Sequence, residues 1–177
     1  MNYFLTGGTG FIGRFFVENL LARGGTIHVL VRDSSRHKLD ELKARFPVAA
    51  DRIVGVSGDI TVNGLGIADA DIAQLKGRID HFFHFAAIYD MAASEESQHL
   101  ANVSGTLHAV RAAEALGTGC FHHISSVAVS GLYRGSFRED MFEEAENLDH
   151  PYFRTKHDSE KVVREKCGIA YRIYRPG

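Results

Sequence analysis

At 177 residues and 45% apolar composition, the chain is long enough to bury one sizeable core and too short for two ordinary domains, so a single domain over residues 1–177 is expected. A formal net charge of −2 with both signs interspersed carries no electrostatic footprint of a nucleic-acid binder or a membrane-surface protein. No run approaches the roughly 20 apolar residues of a spanning helix, and Met1 to Thr6 lacks a basic leader and a cleavage site, so a cytoplasmic chain is expected.

The first apolar run, Asn2 to Thr6, reads as a strand. It leads into Thr6-Gly7-Gly8-Thr9-Gly10-Phe11-Ile12-Gly13 and an amphipathic helix from Phe11 to Arg23. A glycine turn between a strand and a helix binds dinucleotides. Gly7 gives the tight turn, Gly10 lets the backbone approach a pyrophosphate, and Gly13 lets the helix lie close to its strand. Free N–H groups at the helix start then face the phosphates. The second strand, Ile27 to Arg32, places Arg32 where an NAD site usually presents an acidic side chain to the ribose diol. Its fork of donors suits a ribose 2′-phosphate and adenine stacking, and Ser34, Ser35, Arg36 and Lys38 can join it, so NADP(H) is expected over NAD. Asp33 as the acidic reader is the competing assignment. A helix over Lys38 to Phe46 precedes the third strand, Ile53 to Ser57. Asp59, in Gly58-Asp59-Ile60-Thr61, can accept from an adenine amino group or equally serve its own turn.

Further on, helices are predicted over Asp69 to Lys76, Glu95 to Leu116 and Tyr152 to Cys167, and strands over His81 to Ala86, Phe121 to Ser125 and Tyr171 to Tyr174. This alternation implies an α/β fold of the Rossmann type, a doubly wound parallel sheet of order 3-2-1-4-5-6, with its crevice at the carboxyl ends of strands one and four. Phe82, Phe83, Phe85, Phe11, Phe15 and Phe16 read as core, while Tyr89 and Met91 suit substrate contact or packing equally. His81, His84, His122 and His123 fall on neighbouring strands but at odd offsets that face opposite ways, so no metal site is expected. Cys120 and Cys167 form no CxxC and read as buried free thiols. The irregular stretch from Gly131 to His150, rich in acidic residues, has the length of a functional lid.

Tyr152 and Lys156, four apart on a helix, project from one face. A phenol ordinarily titrates near 10, and an ammonium beside it favours the phenolate, so the pair makes a tunable proton donor. Ser126, at the end of the fifth strand, is placed to hydrogen-bond an oxygen that gains charge as hydride arrives.

These residues resemble the extended short-chain dehydrogenase/reductases over essentially the whole chain. Thr6 to Gly13 resembles TGxxGxxG, His84-Phe85-Ala86-Ala87 resembles HxAA, and Asn102 to Thr106 resembles NxxGT. Ser125-Ser126 followed by Gly131 resembles the serine strand, Pro151-Tyr152 to Lys156 resembles PYxxxK, and Arg175-Pro176-Gly177 resembles RPG. The resemblance implies that Ser126, Tyr152 and Lys156 are catalytic, with Asn102 supporting them and Lys156 also binding the nicotinamide ribose. Thr6, Gly7, Gly10, Phe11, Ile12, Gly13, Arg32, Asp59, Ile60, Ala86, Ala87 and Pro176 would bind the cofactor.

Gly58-Asp59-Ile60-Thr61 with Gly64 to Ile67, Ala86 to Met91, and Phe137 to Phe142 are most similar to the amino-terminal part of bacterial alcohol-forming fatty acyl-CoA reductases and other thioester reductases. That likeness implies a fatty acyl thioester or fatty aldehyde substrate. It also implies a substrate half carried after the RPG, beyond Gly177, and helices Glu95 to Leu116 and Tyr152 to Cys167 pairing across a homodimer. A nucleotide-sugar epimerase or dehydratase shares the catalytic motifs, and Arg32 argues against it. A non-catalytic NADP-sensing regulator tends to lose the Tyr and Lys pair that this chain keeps.

Overall fold

Consecutive β-branched and aromatic residues can be buried on both sides only inside a covered parallel sheet, and six short runs of this chain pair in that way. The computed structural model describes residues 1–88 and 92–177, so the contacts suggested for Tyr89 and Met91 lie outside the described residues. Strands β1 (Asn2–Thr6), β2 (Thr26–Val31), β3 (Ile53–Ser57), β4 (His81–His84), β5 (Cys120–Ile124) and β6 (Tyr171–Tyr174) are all parallel, in the order β3-β2-β1-β4-β5-β6. The Rossmann-type sheet and its order are those expected.

Alternation along each strand sends neighbours to opposite faces. Phe4, Phe82 and Phe121 stack across the sheet, with ring centroids 4.8 and 5.4 Å apart, and pack under α3 (Asp69–Leu75), α5 (Gly105–Ala115) and α6 (Pro151–Lys166). Tyr3, Leu5, Val29 and Phe83 face the other way, under Val17, Leu20 and Leu21 of α1 (Phe11–Arg23) and Leu39 and Leu42 of α2 (Arg36–Ala44). Of the phenylalanines expected in the core, Phe16 packs on Phe83 and Phe85 at 4.6 and 5.0 Å. Phe11 and Phe15 are instead exposed, 67% and 45%, and hold the Arg14 guanidinium 5.1 Å above each ring.

Element ends differ from expectation for local reasons. β4 stops at His84 rather than Ala86 because Phe85 N donates to Thr6 O and the next amide, Ala86 N, turns to the Thr6 side chain. The helix expected over Glu95 to Leu116 is interrupted: α4 (Glu95–Gln98), capped by Ser94, passes into a π turn over His99–Ser104 before α5 begins. The 131–150 stretch is anchored. Gly131 bridges Glu146, Met141 and Phe142 are buried, and the Phe142 ring stacks on His157 at 4.2 Å. Cys120 and Cys167 are free but only half-buried. No helix among the described residues is long and apolar enough to cross a membrane.

Candidate active site

The glycine turn sets the geometry at the end of β1. Gly7 has φ +71°, and a Cβ there would lie 2.7 Å from Ala86 N, so the turn and the start of the β4 loop touch backbone to backbone. A Cβ on Gly13 would stand 2.2 Å from Gly7 O, so α1 rests on the turn itself rather than on the strand. Gly10 caps α1 with no side-chain hydrogen bond, and Arg14 N already donates to Gly10 O, which leaves the amides of Phe11, Ile12 and Gly13 for a ligand. A pyrophosphate fits this cradle, since the space a side chain would fill is kept open and the helix start favours an anion.

From the turn, a buried polar chain runs beneath the site. His84 lies 2.7 Å from Thr6 Oγ1 through Nδ1 and 3.1 Å from Thr106 Oγ1 through Nε2. Burial, and then Lys156, push its pKa down to about 3, so the ring is neutral and carries one proton. Thr106 Oγ1 donates to Asn102 O at 2.6 Å and must therefore accept from His84 Nε2–H. Nδ1 then accepts from the Thr6 hydroxyl, which in turn accepts from Ala86 N. Donors thus run in one direction from Thr6 to Asn102, and three sequence motifs are joined in one unit.

Asn102 sits in the π turn with its side chain fully committed. Its Oδ1 accepts from Ile88 N at 2.7 Å, and its Nδ2 donates to Ile88 O at 2.8 Å and to Thr155 Oγ1 at 3.2 Å. Thr155 carries that link into α6, whose start is fixed by Pro151 in the first turn and by Tyr152 N donating to His150 Nδ1. Lys156 is buried and donates to Ile124 O, the last carbonyl of β5, at 3.2 Å. Burial pushes its pKa down to about 8, although Glu160 opposes the shift. Two residues past Ile124, Ser126 is half-buried and accepts from Ala128 N at 3.1 Å; Val127 N donates to Pro176 O, tying in the end of β6. The Tyr152 hydroxyl has no hydrogen-bond partner among the described residues, and its half-buried ring lies one helical turn before Lys156.

At the far end of the crevice, Arg32 is exposed just after β2 and takes part in no ion pair among the described residues. Asp33, its competitor, accepts from Arg36 Nε at 3.1 Å and Ser57 Oγ at 3.3 Å. Arg36 also meets Ser57 Oγ. The Asp59 carboxylate accepts from the amide and hydroxyl of Thr61 at 2.9 and 2.8 Å, the turn role, while Ile60 O accepts from His108. Ala86 and Ala87 are half-buried at the mouth of the crevice.

Sequence reasoning missed Glu160. Fully buried on α6, it accepts from Ser125 Oγ at 2.8 Å, from Arg164 at 2.8 and 2.9 Å, and from Arg175 at 2.6 and 3.1 Å. Burial alone would raise its pKa, but the hydrogen bonds from Arg175, Ser125 and Arg164 outweigh it and hold the carboxyl below its ordinary value. Only the i,i+4 spacing of Glu160 and Arg164 hinted at this cluster. The four histidines divide as expected, His81 with His122 on one face and His84 with His123 on the other.

A glycine cradle, an uncapped helix and a buried lysine at the carboxyl end of β5, two strands away, fit a dinucleotide-binding domain. Residues 5–177 match the family model described as Male sterility protein, an NAD-binding domain, and the chain belongs to that family. It is 31% identical to the terminal R domain of the myxalamid PKS-NRPS biosynthetic pathway, with a TM-score of 0.86 over 99% of this chain and 48% of that one. A Drosophila melanogaster protein named "Putative fatty acyl-CoA reductase" is 29% identical over 95% of this chain and 42% of its own length. A double mutant of DesIV, a dTDP-glucose 4,6-dehydratase from Streptomyces venezuelae, solved with NAD bound, is 30% identical, with a TM-score of 0.75 over 99% of this chain and 55% of that one. The chain thus spans less than half the length of the first curated relatives it matches.

Proposed function

We propose that this chain is the nucleotide-binding and catalytic part of an NADP-dependent reductase acting on a fatty acyl thioester or a fatty aldehyde. The observation that carries the reading is the buried Lys156, held against Ile124 O with Ser126 just beyond and Tyr152 one turn earlier on the same helix. The glycine cradle, the amides of Phe11 to Gly13, Arg32 and Lys156 would hold a nicotinamide dinucleotide, which when bound supplies the hydride. Ser126 donates a hydrogen bond to the carbonyl oxygen as negative charge grows there. Tyr152 gives that oxygen its proton in the aldehyde step, and the Lys156 ammonium steadies the phenolate left behind. Asn102, bonded to Ile88 and Thr155, fixes the start of α6 against the β4 loop, so that Tyr152 stays in reach.

Free Arg32 beside a committed Asp33 supports NADP over NAD. The similarity to the myxalamid R domain and to the Drosophila protein supports a thioester or aldehyde carbonyl. A second reading, a nucleotide-sugar dehydratase or epimerase, is favoured by the likeness to DesIV, and retention of Tyr152 and Lys156 speaks against a purely sensing protein. The test is NADPH oxidation by the complete gene product with acyl-CoA, fatty aldehyde and a UDP-sugar in parallel. NADPH-dependent loss of acyl-CoA or aldehyde supports the reading, and turnover confined to the sugar overturns it.

A further inference from the structure

On the sheet face opposite α6, the start of β5 lies beside the start of β4, and their register sets His81 directly next to Cys120. His122, two residues on, returns to the same face, where its ring stacks on Phe83 at 4.1 Å. We propose that His81, Cys120 and His122 bind one transition-metal ion of the zinc class. Their ligand atoms all lie within 4.8 Å of one another, with His81 Nδ1 and His122 Nε2 3.0 Å apart. In a tetrahedral site, bonds of about 2.0–2.1 Å to nitrogen and 2.3 Å to sulfur put ligand atoms roughly 3.3–3.6 Å apart, so closing the site needs only small side-chain shifts.

Two further features fit an ion there. His122 Nδ1 lies 2.9 Å from the Tyr174 hydroxyl, the outer partner that turns Nε2 toward the shared centre. An open cleft of about 1400 Å³, lined by Tyr3, Phe83, His81, His122 and Tyr174 among others, gives access and leaves a position for water.

Proton bookkeeping is simple. Two ring nitrogens that face each other share a single proton; an ion replaces it, with His81 protonated on Nε2 and His122 on Nδ1, donating to Tyr174. The Cys120 thiol releases its proton to solvent. Arg172, paired with His122 in register on β6, repels the net positive charge of a loaded site. Two imidazoles and a thiolate select zinc or cobalt over calcium or magnesium. Histidine spacing alone did not show this group because its third member is a cysteine that meets His81 only through strand register.

The test is cobalt titration of the chelator-stripped, tag-free chain, followed by absorption and by zinc content after zinc loading and dialysis. One cobalt per chain is expected, with a thiolate-to-cobalt charge-transfer band that zinc removes. Cys120→Ser should abolish the band, Tyr174→Phe should weaken binding roughly tenfold, and Cys167→Ser should change neither. Circular dichroism checks each fold, and should Cys120→Ser not fold, His81→Gln takes its place and should lose the one-to-one stoichiometry. Absence of the band in folded wild type, or a band that survives Cys120→Ser and vanishes in Cys167→Ser, overturns the assignment.

Discussion

Glu160→Gln is the substitution whose cost the structure specifies best. The glutamine keeps the shape of a fully buried side chain but removes the charge that Arg175 and Arg164 neutralise, and it turns an amide toward guanidinium donors. Breaking a buried pair by removing one partner costs about 3–5 kcal/mol. Arg164 is 32% exposed and can return to water, whereas Arg175 at 13% cannot, which places the expected loss near the low end, about 3 kcal/mol. With a urea m-value of about 2 kcal/mol/M, the unfolding midpoint should fall by roughly 1.5 M. The pH dependence follows from the sign of the shift. A carboxyl held below its ordinary value stabilises the fold above the unfolded pKa of about 4.3 and loses that contribution as pH falls through the lower folded value. The gap between wild type and variant should therefore close in acid. Urea melts followed by circular dichroism at neutral pH and near pH 3 measure both quantities, and a neutral-pH loss below about 1 kcal/mol, with no narrowing in acid, would refute the reasoning.

Arg32→Asp should remove a charge-assisted contact and add repulsion toward a 2′-phosphate, shifting the NADP-over-NAD preference by at least about 2 kcal/mol. Titration of both cofactors reads this, and equal wild-type affinities would end the NADP assignment. Tyr152→Phe should lower turnover of the complete gene product roughly 10²-fold or more with near-normal cofactor binding, whereas Lys156→Ala should damage both; full activity in Tyr152→Phe would mean another group gives the proton. Gly7→Ala, at φ +71° and with a Cβ meeting Ala86 N at 2.7 Å, should cost more than about 1–2 kcal/mol of stability and weaken dinucleotide binding, both read by thermal melts with and without cofactor.

Local signals were legible. The glycine turn and the four-residue step from Tyr152 to Lys156 each lie within one short stretch of chain, and the order of the strands follows from the alternation of short runs. What escaped the sequence depends on partners distant in the chain. Glu160 and Arg175 are joined only when β6 returns beside β5, and Cys120 meets His81 only through strand register. Phe11 and Phe15 carry an apolar pattern that their position at the open end of α1 overrides. The direction of the Thr6–His84–Thr106 chain follows from a proton count that no spacing encodes.

The π turn over His99–Ser104 has a consequence for how this helix tolerates change in length. A π turn holds a surplus residue relative to an α-helix, and one residue corresponds to about 100° of rotation. Deleting one residue there gives the segment a route to regular α-helix with both flanks keeping their orientation, because the turn already absorbs that angle. α5 stays locked by Ala109, Val110 and Ala113 in the core, so the change falls on the turn itself and on Asn102 within it. Asn102 would then leave Ile88 while the core stayed intact. Such a deletion would uncouple folding from the alignment of α6, a separation that side-chain substitutions in this buried network do not offer.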